Sequence, residues 1–216
     1  MIKIYNFKAL TFLLVLFVSI TSLSAQTVYS NKEYSRFGFT VGLTSSNLFN
    51  DTVGYTSGIL FNGGFFYNIY LNDKFNVGLE LLYSGKSMKK ESPIIKYRFY
   101  YVDIPLFVQY KFSENIRAEI GLQYSKYINS KFLYLDGSKK SGMHVQSLSS
   151  NIDNEYSMLL GAEFDILKDF KIGARYSYSL KPFIGKTLPY FGVFQFTLGY
   201  VVHRSNKQIF GKKELN

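Results

Sequence analysis

From Arg36 onward the chain alternates large apolar residues with small or polar ones at a period of two, and no amphipathic helical pattern competes with it. In Phe75–Tyr83 the apolar positions are Phe75, Val77, Leu79, Leu81 and Tyr83, with Asn76, Gly78, Glu80 and Leu82 between them. Segments 116–124, 156–166 and 170–180 repeat the arrangement. One face is greasy with Tyr near its ends; the other is Gly, Ser and charge. The pattern predicts eight strands, at about 35–47, 58–71, 74–87, 96–112, 115–130, 152–167, 169–181 and 189–203.

Such alternation suits a soluble β protein with its apolar face inward, or a membrane barrel with that face turned out to lipid. Three features favour the barrel. Gly38, Gly42, Gly64, Gly78, Gly121, Gly161, Gly173 and Gly199 lie on the polar face, where they would weaken solvent-facing strands but let a narrow lumen close up. The strands are longer than the usual five or six residues and long enough to cross a bilayer tilted. Tight links at 71–74, 112–115 and 167–169 alternate with longer ones at 48–57, 88–95, 131–151 and 182–188. Short turns at one end and longer loops at the other are what a transmembrane barrel shows. The expected fold is all-β: an eight-stranded antiparallel up-and-down transmembrane β-barrel over 35–203. Pro105 falls inside the fourth strand, so a bulge is expected near Asp103–Pro105.

Composition agrees. The 216 residues include 19 Tyr and 21 Phe but no Trp or Cys, with 19% charged residues against the usual quarter. Disorder, a disulfide scaffold and a polytopic helical membrane protein are excluded. Residues 1–25 carry basic Lys3 and Lys8, an apolar run from Ala9 to Ile20 and a small-residue end, the plan of a secretory signal peptide cleaved after Ser24 or Ala25. Residues 26–34 then form a periplasmic N-terminal segment and 204–216 a polar, basic periplasmic tail. The expected location is the cell outer membrane.

Gly38–Asn47 (GFTVGLTSSN), Leu71–Lys86 (LNDKFNVGLELLYSGK), Tyr101–Phe112 (YVDIPLFVQYKF) and Met158–Tyr176 resemble the small outer-membrane β-barrel family that includes the PorT-like proteins. The resemblance rests on Glu80-Leu81-Leu82-Tyr83 followed by Ile104-Pro105-Leu106 leading into Tyr110-Lys111-Phe112. It covers nearly all of the chain after the leader. It implies the barrel fold, and for PorT-like members a place in protein secretion across the outer membrane by the type IX system. The aromatic-rich last strand, with Phe194, Phe196, Leu198 and Tyr200, is similar to the end that barrel-assembly machinery recognises in relatives.

Lumen-facing parity collects Glu80, Asp103, Glu119, Glu163 and Asp165 with Arg117, Lys171 and Arg175. Eight strands leave a lumen that side chains fill, and unpaired buried charges cost several kcal/mol, so a paired plug is expected. Counting from the tight turns centres it on Arg175 with Glu80, Glu119 and Glu163. The formal net charge is +10, and most of the excess lies at the opposite rim, where Lys86, Lys89, Lys90, Lys96, Arg98, Lys126, Lys131, Lys139, Lys140, Lys181 and Lys186 outnumber Asp51, Glu91, Asp136, Asp153 and Glu155. Lys89, Lys90, Lys139 and Lys140 are the candidate contacts for outer-membrane lipids and lipopolysaccharide phosphates; solvated loops are the plainer reading. Tyr55, Tyr97, Tyr100, Tyr127, Tyr178 and Tyr190 near the loops, with Tyr110, Phe112, Phe164 and Tyr200 near the turns, suggest two aromatic girdles.

No nucleic-acid motif, phosphate loop or metalloprotease motif is present, and neither cofactor nor metal is expected. His144, one of two His, lies near Asp136, Ser141 and Ser147 without the spacing of a triad. A non-enzymatic barrel that is structural or interacts through its loops is therefore the first reading. A secretion-complex component is the second, with secretion-complex proteins as partners, and a rim hydrolase at His144 the third.

Overall fold

The computed structural model describes residues 35–49, 55–90, 95–136, 139–143, 154–182 and 190–205. The expected leader, the segment after it, His144 and the tail beyond Ser205 lie outside these residues.

Period-two alternation becomes nine strands: β1 (Ser35–Phe49), β2 (Thr56–Tyr70), β3 (Phe75–Lys90), β4 (Ile95–Lys111), β5 (Ile116–Asp136), β6 (Lys139–Met143), β7 (Glu155–Asp165), β8 (Phe170–Ser179) and β9 (Tyr190–Ser205). Eight of them form the wall. Consecutive antiparallel pairings run from β1 through β5, continue through β7 and β8 to β9, and return from β9 to β1, so the sheet closes without an edge. The ninth, β6, pairs with β5 at Phe132↔Met143 through Asp136↔Lys139 and lies outside the ring. Part of the expected loop 131–151 is therefore a hairpin: β5 is long enough to continue past the wall and takes β6 as partner.

Three four-residue turns, at 71–74, 112–115 and 166–169, join strands at one end. Asn72 shapes the first, its side-chain Oδ1 accepting from the backbone N–H of Lys74 and of Phe75 at 3.0 Å each. The other links between wall strands are longer with one exception. β3 and β4 stay paired out to Lys90↔Ile95, which leaves only 91–94 between them and shortens the expected loop 88–95. The expected bulge at Pro105 is not there either. The β3–β4 register is the same at Leu79↔Leu106 and Leu82↔Asp103, so Pro105 merely interrupts the ladder. The shift lies five residues back, between Tyr100 and Tyr101, opposite β5.

The polarity is inside out. Val41, Ile120 and Leu160 on the outer face are 60%, 59% and 62% exposed, while Thr44 and Gln109 in the lumen are completely buried. Aromatic contacts mark both ends of the outer face. Phe75, Tyr110 and Phe112 meet near the turns, as do Phe170 and Tyr200. Tyr83 stacks on Tyr100 near the loops, and Tyr178 on Tyr190. Tyr55, Tyr97 and Tyr127 depart from the expected girdle. They pack against an internal cluster of Met88, Phe99, Tyr101, Phe191 and Val193 that fills the lumen at its loop end.

Candidate functional site

The lumen is built in layers, beginning at the turn end. Arg36, early in β1, donates to Glu163 at 2.7 Å and to Asp165 at 2.9 Å. Arg117 reaches Asp165 at 2.7 Å, and Lys171 reaches Glu163 at 2.6 Å. Strand register explains the meeting: Arg117 lies directly across from Glu163, and Lys171 across from Asp165. The ammonium of Lys171 also sits 3.6 Å from the centroid of buried Phe66.

Above this layer Arg175 bridges two carboxylates. Its Nε donates to Glu119 Oε1 at 2.6 Å, and its Nη1 and Nη2 grip Glu80 at 2.8 and 3.1 Å. Glu119, Gly161 and Arg175 are successive partners across β5, β7 and β8. Gly161 leaves the passage between them open, since a Cβ there would lie 2.6 Å from Glu119 Oε1. The guanidinium stacks 4.7 Å from the centroid of Phe107. That ring lies flat over Gly78, its partner on β3, where any Cβ would collide with it.

One expected member of the Arg175 plug, Glu163, and one further residue of the expected lumen network, Asp103, are placed elsewhere. Glu163 belongs to the Arg36–Arg117–Lys171 layer, and Gln109 links the layers, its Nε2 lying 3.4 Å from Glu119 Oε2 and 3.3 Å from Glu163 Oε2. Tilted strands are staggered, so equal counts from the turns do not give equal heights. Among the described residues Asp103 meets no cation; its Oδ2 accepts from Ser84 Oγ at 2.5 Å.

A further ion pair lies among the residues expected at the outward rim. Lys86 and Glu155 are almost fully buried and meet at 2.6 Å, with the ammonium 4.3 Å from the Tyr101 ring and 5.1 Å from Phe191. Both belong to the lumen rather than to the outer rim. Lys86 shares parity with Glu80 and Ser84, and Glu155 with Glu163, which was the available signal. Arg36 likewise shares the parity of Gly38 and Thr40. Lys86 and Glu155 both lie inside the strands expected at 74–87 and 152–167, so the rim assignment fails because it weighs nearness to the loops above parity.

On the outer face of the loop end, Lys89 is directly opposite Lys96, and Arg98 is directly opposite Lys131. The Nε of Arg98 is buried without a hydrogen-bond partner, and Lys131 lies 5.9 Å over the Tyr100 ring. Lys90 ends β3 beside Lys89, while Lys139 and Lys140 belong to β6. Among the described residues no cluster of three or more His, Cys, Asp or Glu could hold a metal ion. His203 is exposed on the outside of β9, opposite Phe37.

A family model described as "Outer membrane protein beta-barrel domain" matches residues 11–201. Among solved structures, Ail, the attachment invasion locus protein of Yersinia pestis, is 18% identical, with 78% of this chain and 99% of that one covered at a TM-score of 0.48. Neisserial surface protein A is 11% identical, with 76% and 96% covered and a TM-score of 0.47. For OprG from Pseudomonas aeruginosa the figures are 12%, 81%, 100% and 0.44. No curated protein matches the chain.

Proposed function

This chain belongs to the outer membrane protein beta-barrel domain family, and we propose that it is a non-enzymatic surface barrel whose loop-end rim engages the phosphates of outer-leaflet lipids, lipopolysaccharide above all. The observation that carries this reading is the pair of like-charge contacts Lys89↔Lys96 and Arg98↔Lys131 across β3, β4 and β5. Like charges directly opposite in a sheet are destabilising by up to about 1 kcal/mol. Among the described residues no carboxylate ion-pairs with any of the four. An anion from outside the chain would offset the repulsion, and short turns toward the periplasm put this rim at the outer leaflet. Lys90, Lys139 and Lys140 are proposed as further contacts for the same phosphates.

The test is binding of the purified, folded barrel to vesicles with and without lipopolysaccharide at low and high salt. The native protein should favour lipopolysaccharide and lose that preference as salt rises. A Lys89→Gln, Lys96→Gln, Arg98→Gln, Lys131→Gln variant should show no preference at all. Equal binding by variant and native protein would refute the reading. Export by residues 1–25, with cleavage after Ser24 or Ala25, belongs to the same proposal and is checked by the mass of the mature N-terminus. Barrel-assembly machinery is the expected partner for insertion.

The Ile104-Pro105-Leu106 step into Tyr110-Lys111-Phe112 on β4 favours a second reading, a PorT-like component of a type IX secretion complex. Deleting the gene and measuring secreted cargo separates the two, since a surface barrel leaves secretion intact. The hydrolase reading hangs on His144; an unchanged lipid profile in His144→Ala cells disposes of it.

A further inference from the structure

Among the described residues five cations line the lumen, and each lies within 2.7 Å of a carboxylate: Arg36, Lys86, Arg117, Lys171 and Arg175. Together they hold Glu80, Glu119, Glu155, Glu163 and Asp165. Asp103 is a sixth acid, 1% exposed, and no cation of the described chain reaches it. Its Oδ2 accepts from Ser84, and its Oδ1 has no partner in the protein. A buried carboxylate left without a counter-charge costs several kcal/mol, which a barrel of otherwise paired charges has no evident reason to bear.

The surroundings of Asp103 are oxygen-rich. Ser125 is its direct partner on β5, and Glu155 is the partner of Ser125 on β7. Gln123 donates its Nε2 to Ser125 Oγ at 3.1 Å, which places the amide beside the same spot. That leaves Gln123 Oε1 without a donor, at a residue 3% exposed. Two buried acceptors at neighbouring register positions, Asp103 Oδ1 and Gln123 Oε1, therefore lack a donor. Water could donate to them, but water brings no positive charge.

We propose that the waist of the lumen binds a small monovalent cation, sodium or potassium, coordinated by Asp103 Oδ1 with neutral oxygens from Gln123 and Ser125. An all-oxygen donor set suits a hard cation. A single uncommitted carboxylate balances one positive charge, and Glu155 already holds Lys86. The ion completes the charge pairing between the Arg175 layer below and the Lys86–Glu155 pair above.

The experiment uses the full chain, purified and folded in detergent. Crystals soaked in rubidium or thallium(I) chloride are expected to give an anomalous peak at coordination distance from Asp103 Oδ1, absent in Asp103→Asn crystals. In parallel, the urea midpoint is measured at constant ionic strength in sodium, potassium or N-methylglucamine chloride. The native barrel should gain stability when the organic cation is replaced by sodium or potassium, and the Asp103→Asn variant should not respond. Should Asp103→Asn fail to fold, Gln123→Leu keeps the charge and removes one neutral oxygen, and its half-saturating cation concentration should rise about tenfold. No peak at Asp103, or the same cation response in native and variant barrels, overturns the proposal.

Discussion

Replacing Arg175 by methionine removes three hydrogen bonds at once, to Glu119 at 2.6 Å and to Glu80 at 2.8 and 3.1 Å. It leaves two carboxylates that are 5% and 6% exposed facing each other across the lumen. Breaking one buried ion pair costs about 3–5 kcal/mol because the abandoned charge stays buried. Two acids abandoned together also repel, but Gln109 still reaches Glu119, so the expected loss is about 5 kcal/mol rather than the sum. The same reasoning gives the rescue. Arg175→Met combined with Glu80→Gln and Glu119→Gln buries no charge and should return to within about 2 kcal/mol of the native barrel. The chain has no Trp, so the folded fraction in urea is best read from gel mobility without boiling, checked by far-UV circular dichroism. A loss below about 1 kcal/mol for the single variant, or a triple variant no more stable than the single one, would refute the claim that charge pairing holds the lumen together.

The other predictions use the same unfolding assay. Gly161→Val places atoms where Arg175 reaches Glu119 and should cost about 2–3 kcal/mol, with a loss less than additive when combined with Glu119→Gln. Lys86→Met and Glu155→Gln should each cost about 3 kcal/mol and the pair together about 1, so a double-mutant cycle should show strong coupling. Leu160→Arg, at the middle of β7 on the outer face, should cost about 2–4 kcal/mol in lipid vesicles. In a barrel dissolved in water the last change would be close to neutral, so a neutral result would count against the membrane-facing assignment.

Alternation alone was enough to orient β3, β5, β7 and β8, because in each the apolar and polar residues segregate by parity, with Leu82 and Leu159 as inward-facing exceptions. It also put Glu80, Glu119 and Arg175 on one face. What it could not supply was height. Glu163 shares their face, yet it meets Arg36, which is 127 residues away, because stagger between tilted strands offsets rows that look level along the chain. Parity was further obscured where apolar side chains point inward. Phe107 has the parity of Asp103 and Gln109, and Phe66 that of Asn68. Both read as lipid-facing from residue type alone, although each lies over a glycine and under a cation.

Those inward rings bear on where specificity resides. Phe66 and Phe107 take up the width that glycines free on β1, β3 and β5, and the Met88–Phe99–Tyr101–Phe191–Val193 cluster takes up the loop end. A lumen that is charged, layered and filled offers side chains already committed to one another, so altering any one of them is felt first as lost stability. Lys89, Lys96, Arg98 and Lys131 stand in the opposite relation to the fold. Their mutual repulsion makes each a small liability to the barrel, and neutralising them should leave stability unchanged or slightly raised while abolishing attraction to phosphate. Comparing the urea midpoint of the four-glutamine variant with its lipopolysaccharide binding tests this directly. Loss of stability and binding together would mean that the rim, like the lumen, is there to hold the barrel up.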